Sequence, residues 1–327
     1  MLTDNQPDGE TLVEIFRRAS LIKINDEQAR KVISSGRLVM PYYSPRGQEI
    51  IPSTLSIFLN DDDYLSTIYR GTHDMIAKGF PLDLLWAEMA GRVDGTCQGK
   101  GGCMHLTYPA KGCMITTGIV GSSMPVALGL GWSAQLQGRG QVAVACFGDG
   151  ASNIGAFHES LNMASLWKLP VIFVCQNNQF AEHTSLARGT AGPSIAARAA
   201  GYGMVGEQVD GNDVFAMHAA ASAAVARARA GEGPTLIEAM TFRFFGHVFG
   251  DDDSYMDKER KKAAMAADPV KLLREMLIEK GYADEAALAA IEAKAESDVE
   301  AAIVFALNSP FPEISDLENH VYAEAMA

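Results

Sequence analysis

The chain has 327 residues, of which 48% are hydrophobic and 20% are charged. This length and this balance indicate a folded protein with a substantial core and argue against a disordered one. Lysine and arginine total 27 against 40 aspartates and glutamates, which gives a net charge of −13. The resulting field disfavours nucleic acid and anionic membranes as partners, so local basic groups must hold any anionic ligand.

The N-terminal stretch "MLTDNQPDGETLVEIFRRAS" has acidic residues where a signal peptide needs a basic start followed by an apolar stretch. We therefore expect no export and a cytoplasmic location. Residues 9–36 are predicted to be helical, and residues 1–40 are assigned to an N-terminal helical segment. A mixed region follows, with the turn-rich patches "YYSPRGQE" and "LNDDDY".

Five cysteines form an odd set in a long chain, which favours reduced thiols over a disulfide framework. Cys97, Cys103, His105 and Cys113 form a possible zinc site, but their gaps are irregular and no CxxC pair occurs. Free buried thiols are the simpler interpretation.

Residues 112–138 carry no charge over a length that is sufficient to cross a bilayer. Glycines, serines and Pro125 interrupt the segment, and Ser122 or Ser123 followed by Pro125 is typical of a helix start. The segment is therefore predicted to be a buried helix of a soluble core.

From about residue 141 the pattern predicts an α/β fold. The apolar runs "VAVACF" and "LPVIFVCQ" flank "SNIGAFHESLNMASLW", which places Ile154, Phe157, Leu161 and Ala164 on one helical face. A right-handed crossover of this length returns the second strand parallel to the first. The runs "MVGEQVDG" and "PTLIEAMTF", with an alanine-rich helix between them, repeat the order, so we expect a parallel sheet covered by helices on both faces.

From residue 263 onward the pattern is helical, apart from "NSPFPEI". The predicted organisation is an α/β domain over residues 41–262 and a C-terminal helical segment over residues 263–327 that packs on that domain. The segment 248–262, with "GDDDS" and "DKERKK", is expected to be a mobile loop that orders when a ligand arrives.

Polar residues follow two of the predicted strands. In "FGDGASN", Asp149 ends one strand, and Asn178 ends the next. Parallel strands finish at the same edge of the sheet, where α/β proteins place their ligands, so the two side chains are expected to lie side by side. Two oxygen ligands are what Mg²⁺ tolerates when phosphates and water complete its octahedron. Glycines beside Asp149 and a helix beginning near Ser152 would admit the anion.

A diphosphate carries more negative charge than this cation would offset, so basic side chains should converge there, with Arg70 and Arg243 as candidates. Two other interpretations remain open. "GDG" alone is also an ordinary turn with an N-capping acid. "GLGWSA", residues 129–134, matches the dinucleotide fingerprint of NAD-dependent Rossmann dehydrogenases, but the residues before it already have a helical pattern.

At these residues the chain resembles a known family. "GDGASNIGAFHESLNMASLWKLPVIFVCQNN" is similar to the thiamin diphosphate motif of the E1 alpha subunits of 2-oxoacid and acetoin dehydrogenase complexes. "GQE", "YRGTH", "GKGGCMH", "GIVG", "VDGND" and "FRFFGHVFGD" extend the similarity over roughly residues 40 to 265 in the family's order. The expected fold is therefore the thiamin diphosphate-binding α/β fold.

The resemblance implies thiamin diphosphate and Mg²⁺ as cofactors. It implies that the side chains of Asp149 and Asn178 and the backbone carbonyl of Phe180 bind the metal, although a tyrosine is usual at the last position. The residues that it places around the cofactor are Tyr69, Arg70, Gly118, Val120, Asp149, Gly150, Ala151, Asn178, Arg243 and His247.

Two histidines are the catalytic candidates. The resemblance implies that His247 faces the reacting carbon and the incoming lipoyl group. His73 is the second candidate, as a substrate contact. Pyruvate dehydrogenases of the family usually read YRAHG or YRGHG, whereas this chain reads YRGTH, with Thr72 where their histidine stands.

The activity that the resemblance implies is cleavage of acetoin or decarboxylation of pyruvate, with transfer of the two-carbon unit to the lipoyl domain of an E2 acyltransferase. The family's activating glutamate comes from a separate beta subunit, so an α₂β₂ assembly is expected. "FFGHVFGD" and "FAEHTS" resemble acetoin dehydrogenases more than pyruvate dehydrogenases. A branched-chain enzyme is one alternative, and a scaffold without catalytic activity is an alternative of another class.

Overall fold

The computed structural model describes residues 6–319 and 321. Its centre is a six-stranded parallel sheet with the order β2-β1-β3-β4-β8-β7. Two short strands, β5 and β6, form a separate antiparallel pair. The strands are β1 Tyr64–Ile68, β2 Cys113–Thr117, β3 Ala143–Gly148, β4 Val171–Asn177, β5 Phe180–Ala181, β6 Thr184–Ser185, β7 Val205–Asp210 and β8 Thr235–Met240.

Helices precede, connect and follow these strands. The α-helices are α1 Gly9–Ser34, α2 Ile50–Leu55, α3 Thr72–Lys78, α4 Leu82–Met89, α5 Ser123–Gln137, α6 Gly155–Leu166, α7 Leu186–Gly189, α8 Val214–Arg229, α9 Lys258–Ala266, α10 Pro269–Glu279 and α11 Glu285–Asn308.

Both faces of the sheet are covered, because successive side chains of each strand enter different hydrophobic clusters. In β4, Ile172 and Val174 belong to a cluster that includes residues of α3, α4, α8 and α11, whereas Val171, Phe173 and Cys175 belong to one that includes residues of α5 and α6. The predicted α/β fold with helices on both faces is confirmed.

The terminal helical segments pack on each other and on helices α2, α3 and α4. Leu12 and Phe16 of α1 share a cluster with Leu273 and Leu277 of α10, and α11 packs against α1 and α4. Helix α9 spans the predicted boundary at residue 262, so the last third of the expected loop 248–262 is helical.

Residues 112–138 contain strand β2 followed by helix α5, which begins after the N-cap Ser122 as predicted. No helix in the described part of the chain is long and apolar enough to span a membrane. Only one face of α5 is buried, in contrast to the prediction of a buried helix. Its other face exposes Val126, Trp132 and Leu136, and Trp132 lies beside Trp167 at the end of α6, with ring centroids 5.1 Å apart.

Candidate cofactor site

A cavity of about 360 Å³ opens at the carboxyl edge of the sheet, where β1, β3 and β4 end. This is the edge at which α/β proteins bind ligands. All but one of the site residues predicted from the sequence line it. They are Tyr69, Arg70, Gly118, Val120, Asp149, Gly150, Ala151, Asn178, Phe180, Arg243 and His247.

Asp149 lies directly after β3, in a short 3₁₀ helix, Asp149–Asn153. Its carboxylate is buried, and Oδ1 has no hydrogen-bond partner in the described structure. Burial raises the pKa of Asp149 to about 6, against the opposing effect of backbone hydrogen bonding and of two nearby arginines. An unpartnered buried oxygen is costly unless a ligand satisfies it. The following α-helix begins at Gly155, three residues later than the predicted start near Ser152.

Asn178 follows β4 and is brought to the same edge as Asp149 by the parallel pairing of β3 with β4. Its Oδ1 accepts a hydrogen bond from the backbone N–H of Phe180 at 3.3 Å, and its Nδ2 donates to Gln48 Oε1 at 2.9 Å. The intervening Gln179 has a left-handed backbone, with φ of 78°, which turns the chain sharply. Asn178 and Asp149 therefore line the same cavity, and the amide oxygen of Asn178 is a hard oxygen donor of the kind that a divalent cation accepts.

Two buried guanidinium groups, those of Arg70 and Arg243, form part of the cavity wall. Arg70 donates to the carbonyl oxygens of Ser44 and His247, at 2.8 and 3.0 Å. Arg243 donates to the Glu182 carbonyl and the Tyr255 hydroxyl.

These bonds use only uncharged oxygens, so among them no carboxylate offsets the positive charge of either guanidinium group. Burial and the neighbouring Arg243 charge lower the pKa of Arg70 to about 10. The Nε atom of Arg243 has no partner in the described structure. Two buried cations with neutral partners are what an anionic ligand requires.

His247 stands in an aromatic wall of the cavity. Its ring makes edge contacts with Tyr43 and Tyr69, at centroid distances of 5.4 and 5.8 Å. Burial, followed by the charges of Arg70 and Arg243, lowers the pKa of His247 to about 4. The imidazole is therefore neutral at pH 7, and its buried Nδ1 has no partner among the described residues.

Glycines give the backbone close access to the cavity. A Cβ atom at Gly150 would lie 2.5 Å from Ala181 Cβ, and one at Gly118 would lie 2.7 Å from Met104 Cε. Neither position tolerates a side chain without a shift of its neighbour. The backbone at these two positions can therefore form part of a closely fitting wall.

His73 is the predicted site residue that the structure does not bring to the cavity. Its side chain is fully buried in α3, where Nε2 donates to Gln176 Oε1 at 2.9 Å and Nδ1 lies 3.2 Å from the Arg70 carbonyl oxygen. The ring is directed into the protein below the cavity, so the prediction that His73 contacts substrate does not agree with this position.

The zinc and dinucleotide alternatives fail on geometry. Cys97 Sγ donates to the His105 carbonyl and Cys103 Sγ to the Pro41 carbonyl, and no described group of three His, Cys, Asp or Glu residues can hold a metal ion together. The "GLGWSA" segment lies in the middle of α5, whereas a dinucleotide fingerprint must open a helix directly after a strand.

Sequence reasoning missed several residues of the wall. Tyr43, Met104 and Glu182 line the cavity but carried no predicted role. Met104 and Glu182 lie in "GKGGCMH" and "FAEHTS", whose similarity to the family was the available signal, whereas Tyr43 lies in "YYSPRGQE", where the similarity covers only "GQE".

The donor set fits a magnesium diphosphate group: a buried carboxylate oxygen without a partner, an adjacent amide oxygen and two buried guanidinium groups. The fold and the cavity together define an α/β protein with a cavity lined by polar and cationic groups at the carboxyl edge of a parallel sheet, where such proteins bind ligands.

Comparison with known proteins identifies the family. The profile of the dehydrogenase E1 component family matches residues 17–315. The alpha subunit of an acetoin:2,6-dichlorophenolindophenol oxidoreductase from Bacillus subtilis is 37% identical over 314 residues, which cover 96% of this chain and 94% of that protein.

Two pyruvate dehydrogenase E1 component alpha subunits are comparably similar. The Porphyra purpurea protein is 38% identical over 85% of this chain and 83% of its own length. The Rhizobium meliloti protein is 36% identical over 93% of this chain and 88% of its own length. The chain belongs to the dehydrogenase E1 component family.

Proposed function

We propose that this chain is the alpha subunit of a thiamin diphosphate-dependent E1 dehydrogenase that acts on acetoin or pyruvate. The observation that carries the proposal is the convergence of Asp149, Asn178, Arg70, Arg243 and His247 on one cavity. The names of the relatives, which include both acetoin- and pyruvate-oxidising subunits, support the substrate class.

Separate groups of residues would bind the cation, the diphosphate and the aminopyrimidine of the cofactor. Asp149 and Asn178 would bind Mg²⁺ through side-chain oxygens, with the backbone carbonyl of Phe180 as a third protein ligand. Arg70 and Arg243 would bind the diphosphate, and Gly118 and Val120 would present backbone groups to the aminopyrimidine. When bound, thiamin diphosphate supplies a carbon nucleophile and an electron sink for cleavage of a carbon–carbon bond beside a carbonyl.

The chain's own contribution at the reacting end would be His247. A neutral imidazole beside two tyrosine rings can exchange hydrogen bonds with a substrate oxygen. It stays neutral because burial, and then the charges of Arg70 and Arg243, oppose its protonation. The surrounding rings restrict water around it. His247 would therefore orient the substrate or the incoming lipoyl group and move protons at its unpartnered nitrogen.

A beta subunit would complete the active site, in an α₂β₂ assembly that passes the two-carbon unit to the lipoyl domain of E2. The exposed apolar face of α5 offers a surface for assembly. We also place the protein in the cytoplasm, and the five free cysteines agree with a reducing compartment.

The deciding experiment is dye-linked oxidation of acetoin and of pyruvate by the chain co-expressed with its beta subunit, with and without thiamin diphosphate and Mg²⁺. Cofactor-dependent turnover of either compound supports the proposal, and the ratio of the two kcat/KM values names the substrate. Full activity of the single chain would contradict the requirement for a beta subunit. Turnover without thiamin diphosphate would contradict the proposed chemistry.

A further inference from the structure

Beneath the cavity lies a buried polar layer to which the proposed function gives no role. It contains Gln48 before α2, His73 and Asp74 in α3, and Gln176 in β4, all of them buried and none in the cavity wall. Polar side chains are costly at this depth unless their hydrogen bonds are arranged consistently. The donor and acceptor roles in this layer are informative because the series of hydrogen bonds ends at Asn178.

The order is fixed at one end by a carboxylate. Asp74 Oδ1 accepts from Gln176 Nε2 at 2.7 Å, while Asp74 Oδ2 accepts from the Thr67 hydroxyl. An ionised carboxylate accepts but cannot donate, so Gln176 must turn its NH₂ group toward Asp74. Its Oε1 therefore points away from Asp74.

The same constraint passes through two more amides. Gln176 Oε1 accepts from Gln48 Nε2 at 2.9 Å, which leaves Gln48 Oε1 to accept from Asn178 Nδ2, also at 2.9 Å. Asn178 is then left with its Oδ1, which accepts from the Phe180 N–H. We use the term amide network for Asp74, Gln176, Gln48 and Asn178.

We propose that the amide network fixes the rotation of the Asn178 side chain so that its oxygen, and not its NH₂ group, is presented to the cation. Asp74 is then a positioning residue that acts on the metal site through Gln176 and Gln48. This inference rests on the proposed function, because it concerns the same Mg²⁺ site.

The physical need for such a device comes from the shape of an amide. Oxygen and NH₂ are nearly equal in size, so packing alone does not distinguish the two rotations. A flipped Asn178 would place a donor where a cation requires an acceptor. In the amide network, a flipped Asn178 would direct its NH₂ group at the Phe180 N–H and its oxygen at Gln48 Oε1. Rotating the amides of Gln48 and Gln176 as well would remove the clash with Gln48, but it would direct Gln176 Oε1 at the Asp74 carboxylate.

His73 strengthens the same orientation. Its Nε2 lies 2.9 Å from Gln176 Oε1, and because that oxygen only accepts, the Nε2–H tautomer of His73 is a second donor to it alongside Gln48. Its Nδ1 lies beside the carbonyl of Arg70, one of the cavity arginines. His73 thereby supports the site from below, which is a role distinct from a substrate contact.

The test measures Mn²⁺ binding by electron paramagnetic resonance, in the presence of thiamin diphosphate, on the full chain co-purified with its beta subunit. Gln48→Met keeps the volume of the side chain and removes the acceptor for Asn178 Nδ2. We expect its Mn²⁺ affinity to fall about 10-fold or more, in line with the loss of a buried hydrogen bond. An affinity within about 2-fold of wild type would overturn the inference.

The second variant, Asp74→Asn, loosens the network at its far end without touching Asn178. We expect a loss of about 3-fold to 10-fold in the wild-type background and almost none in the Gln48→Met background. If Asp74 acted on the cation through space by its charge, the loss would be the same in both backgrounds, and the inference would be wrong.

A matched control separates orientation from general damage. Asp63→Asn alters another buried carboxylate, which binds Arg229 at the opposite end of β1. It should lower the thermal midpoint of the metal-free protein while leaving Mn²⁺ affinity within about 2-fold of wild type. Failure of the wild-type complex to bind Mn²⁺ would contradict the proposed function itself, whereas equal binding by wild type and the amide-network variants contradicts only this inference.

Discussion

Several buried polar atoms lack a hydrogen-bond partner in the wall of the cavity, whereas the glutamine side chains in the layer directly beneath it are fully paired. In the wall, Asp149 Oδ1, Arg243 Nε and His247 Nδ1 are buried without a partner among the described residues. In the layer below, both polar atoms of Gln48 and of Gln176 are paired. The three unpartnered atoms of the wall belong to residues that line one cavity, where a ligand could satisfy all of them together.

The largest expected effect comes from the wall carboxylate. Asp149→Asn keeps the side-chain volume and removes the charge that would face Mg²⁺. We expect cofactor affinity to fall by about 3 kcal/mol or more, equivalent to at least about 100-fold, as for loss of one partner of a buried charged pair. Isothermal titration with thiamin diphosphate and Mg²⁺ measures it.

The same substitution should not destabilise the cofactor-free protein. The raised pKa of Asp149, about 6, means that its buried charge opposes folding at pH 7, and removing it should stabilise the apoprotein by roughly 1 to 3 kcal/mol. Urea unfolding at pH 7 tests this point. A marked loss of apoprotein stability would show that Asp149 has a structural role.

Substitution of His247 in the wall and of His73 in the layer allows a direct comparison of the two regions. His247→Gln should lower kcat by about 100-fold, at the low end for a residue that moves protons, with little change in cofactor affinity. His73→Gln should keep kcat within a few-fold at saturating cofactor and reduce stability by about 1 to 3 kcal/mol, because buried partners lose a donor. Steady-state kinetics and urea unfolding of both variants provide the measurements, and the reverse assignment of the two losses would refute the distinction.

Arg243→Ala tests the cationic part of the wall. Loss of a charge-assisted hydrogen bond should weaken thiamin diphosphate binding by about 1.5 to 3 kcal/mol. Arg243→Lys should fall between wild type and Arg243→Ala, because it keeps the charge and loses the planar fork. Arg139→Ala, at the amino end of β3, is the control and should bind like wild type. Equal binding by all four proteins would remove Arg243 from the site.

A smaller effect follows from the neutral imidazole. The pKa of His247 is about 4 in the folded protein against an ordinary 6.5, so the unfolded chain binds more protons between these pH values. The free energy of unfolding of the wild-type protein therefore decreases as the pH falls below 6.5, and this decrease is complete below about 4.

The His247→Gln variant does not show the decrease in the free energy of unfolding that His247 causes. The variant should gain stability relative to wild type on acidification through this window, by on the order of 1 kcal/mol after allowance for the half-exposed ring. Asp26 and Asp149, whose pKa values are raised to about 6, titrate in both proteins and cancel in the difference. A difference that does not change with pH would show that His247 is not held neutral.

The smallest expected effect concerns the segment between His247 and α9. Tyr255 donates to Asp251 Oδ2 at 2.8 Å and accepts from Arg243 at 2.6 Å. Tyr255→Phe removes both bonds and should raise the rate of tryptic cleavage in residues 258–262 by a few-fold. Cofactor should slow cleavage of the wild type, and cleavage at equal rates with and without cofactor would argue against ordering of this segment.

The sequence predicted the elements that have a clear apolar run or a clear helical pattern. Strands β3 and β4 were predicted correctly, as was α1. Strands β1 and β2 were missed because buried Ser66, Thr67, Thr116 and Thr117 interrupt any hydrophobic pattern.

The site was predictable where residues follow the ends of strands, because parallel topology alone brings Asp149 and Asn178 together. The layer beneath it was not. Gln48 meets Gln176 and Asn178 across separations of 128 and 130 residues, and no local pattern indicates that pairing. The position of His73 outside the cavity wall was unpredictable for a related reason, since its motif gives a position in the chain but not the direction of its ring.

The paired tryptophans at the surface make the chain an optical reporter of its own assembly. Of its three tryptophans, Trp86 is buried and donates to Asn25, whereas Trp132 and Trp167 are partly exposed and adjacent. Helices α5 and α6 begin near the carboxyl edge and run back toward the amino edge, so this pair lies away from the cofactor cavity. A subunit that covers the pair should shift its emission to the blue and protect it from iodide quenching, and cofactor binding alone should leave both signals unchanged.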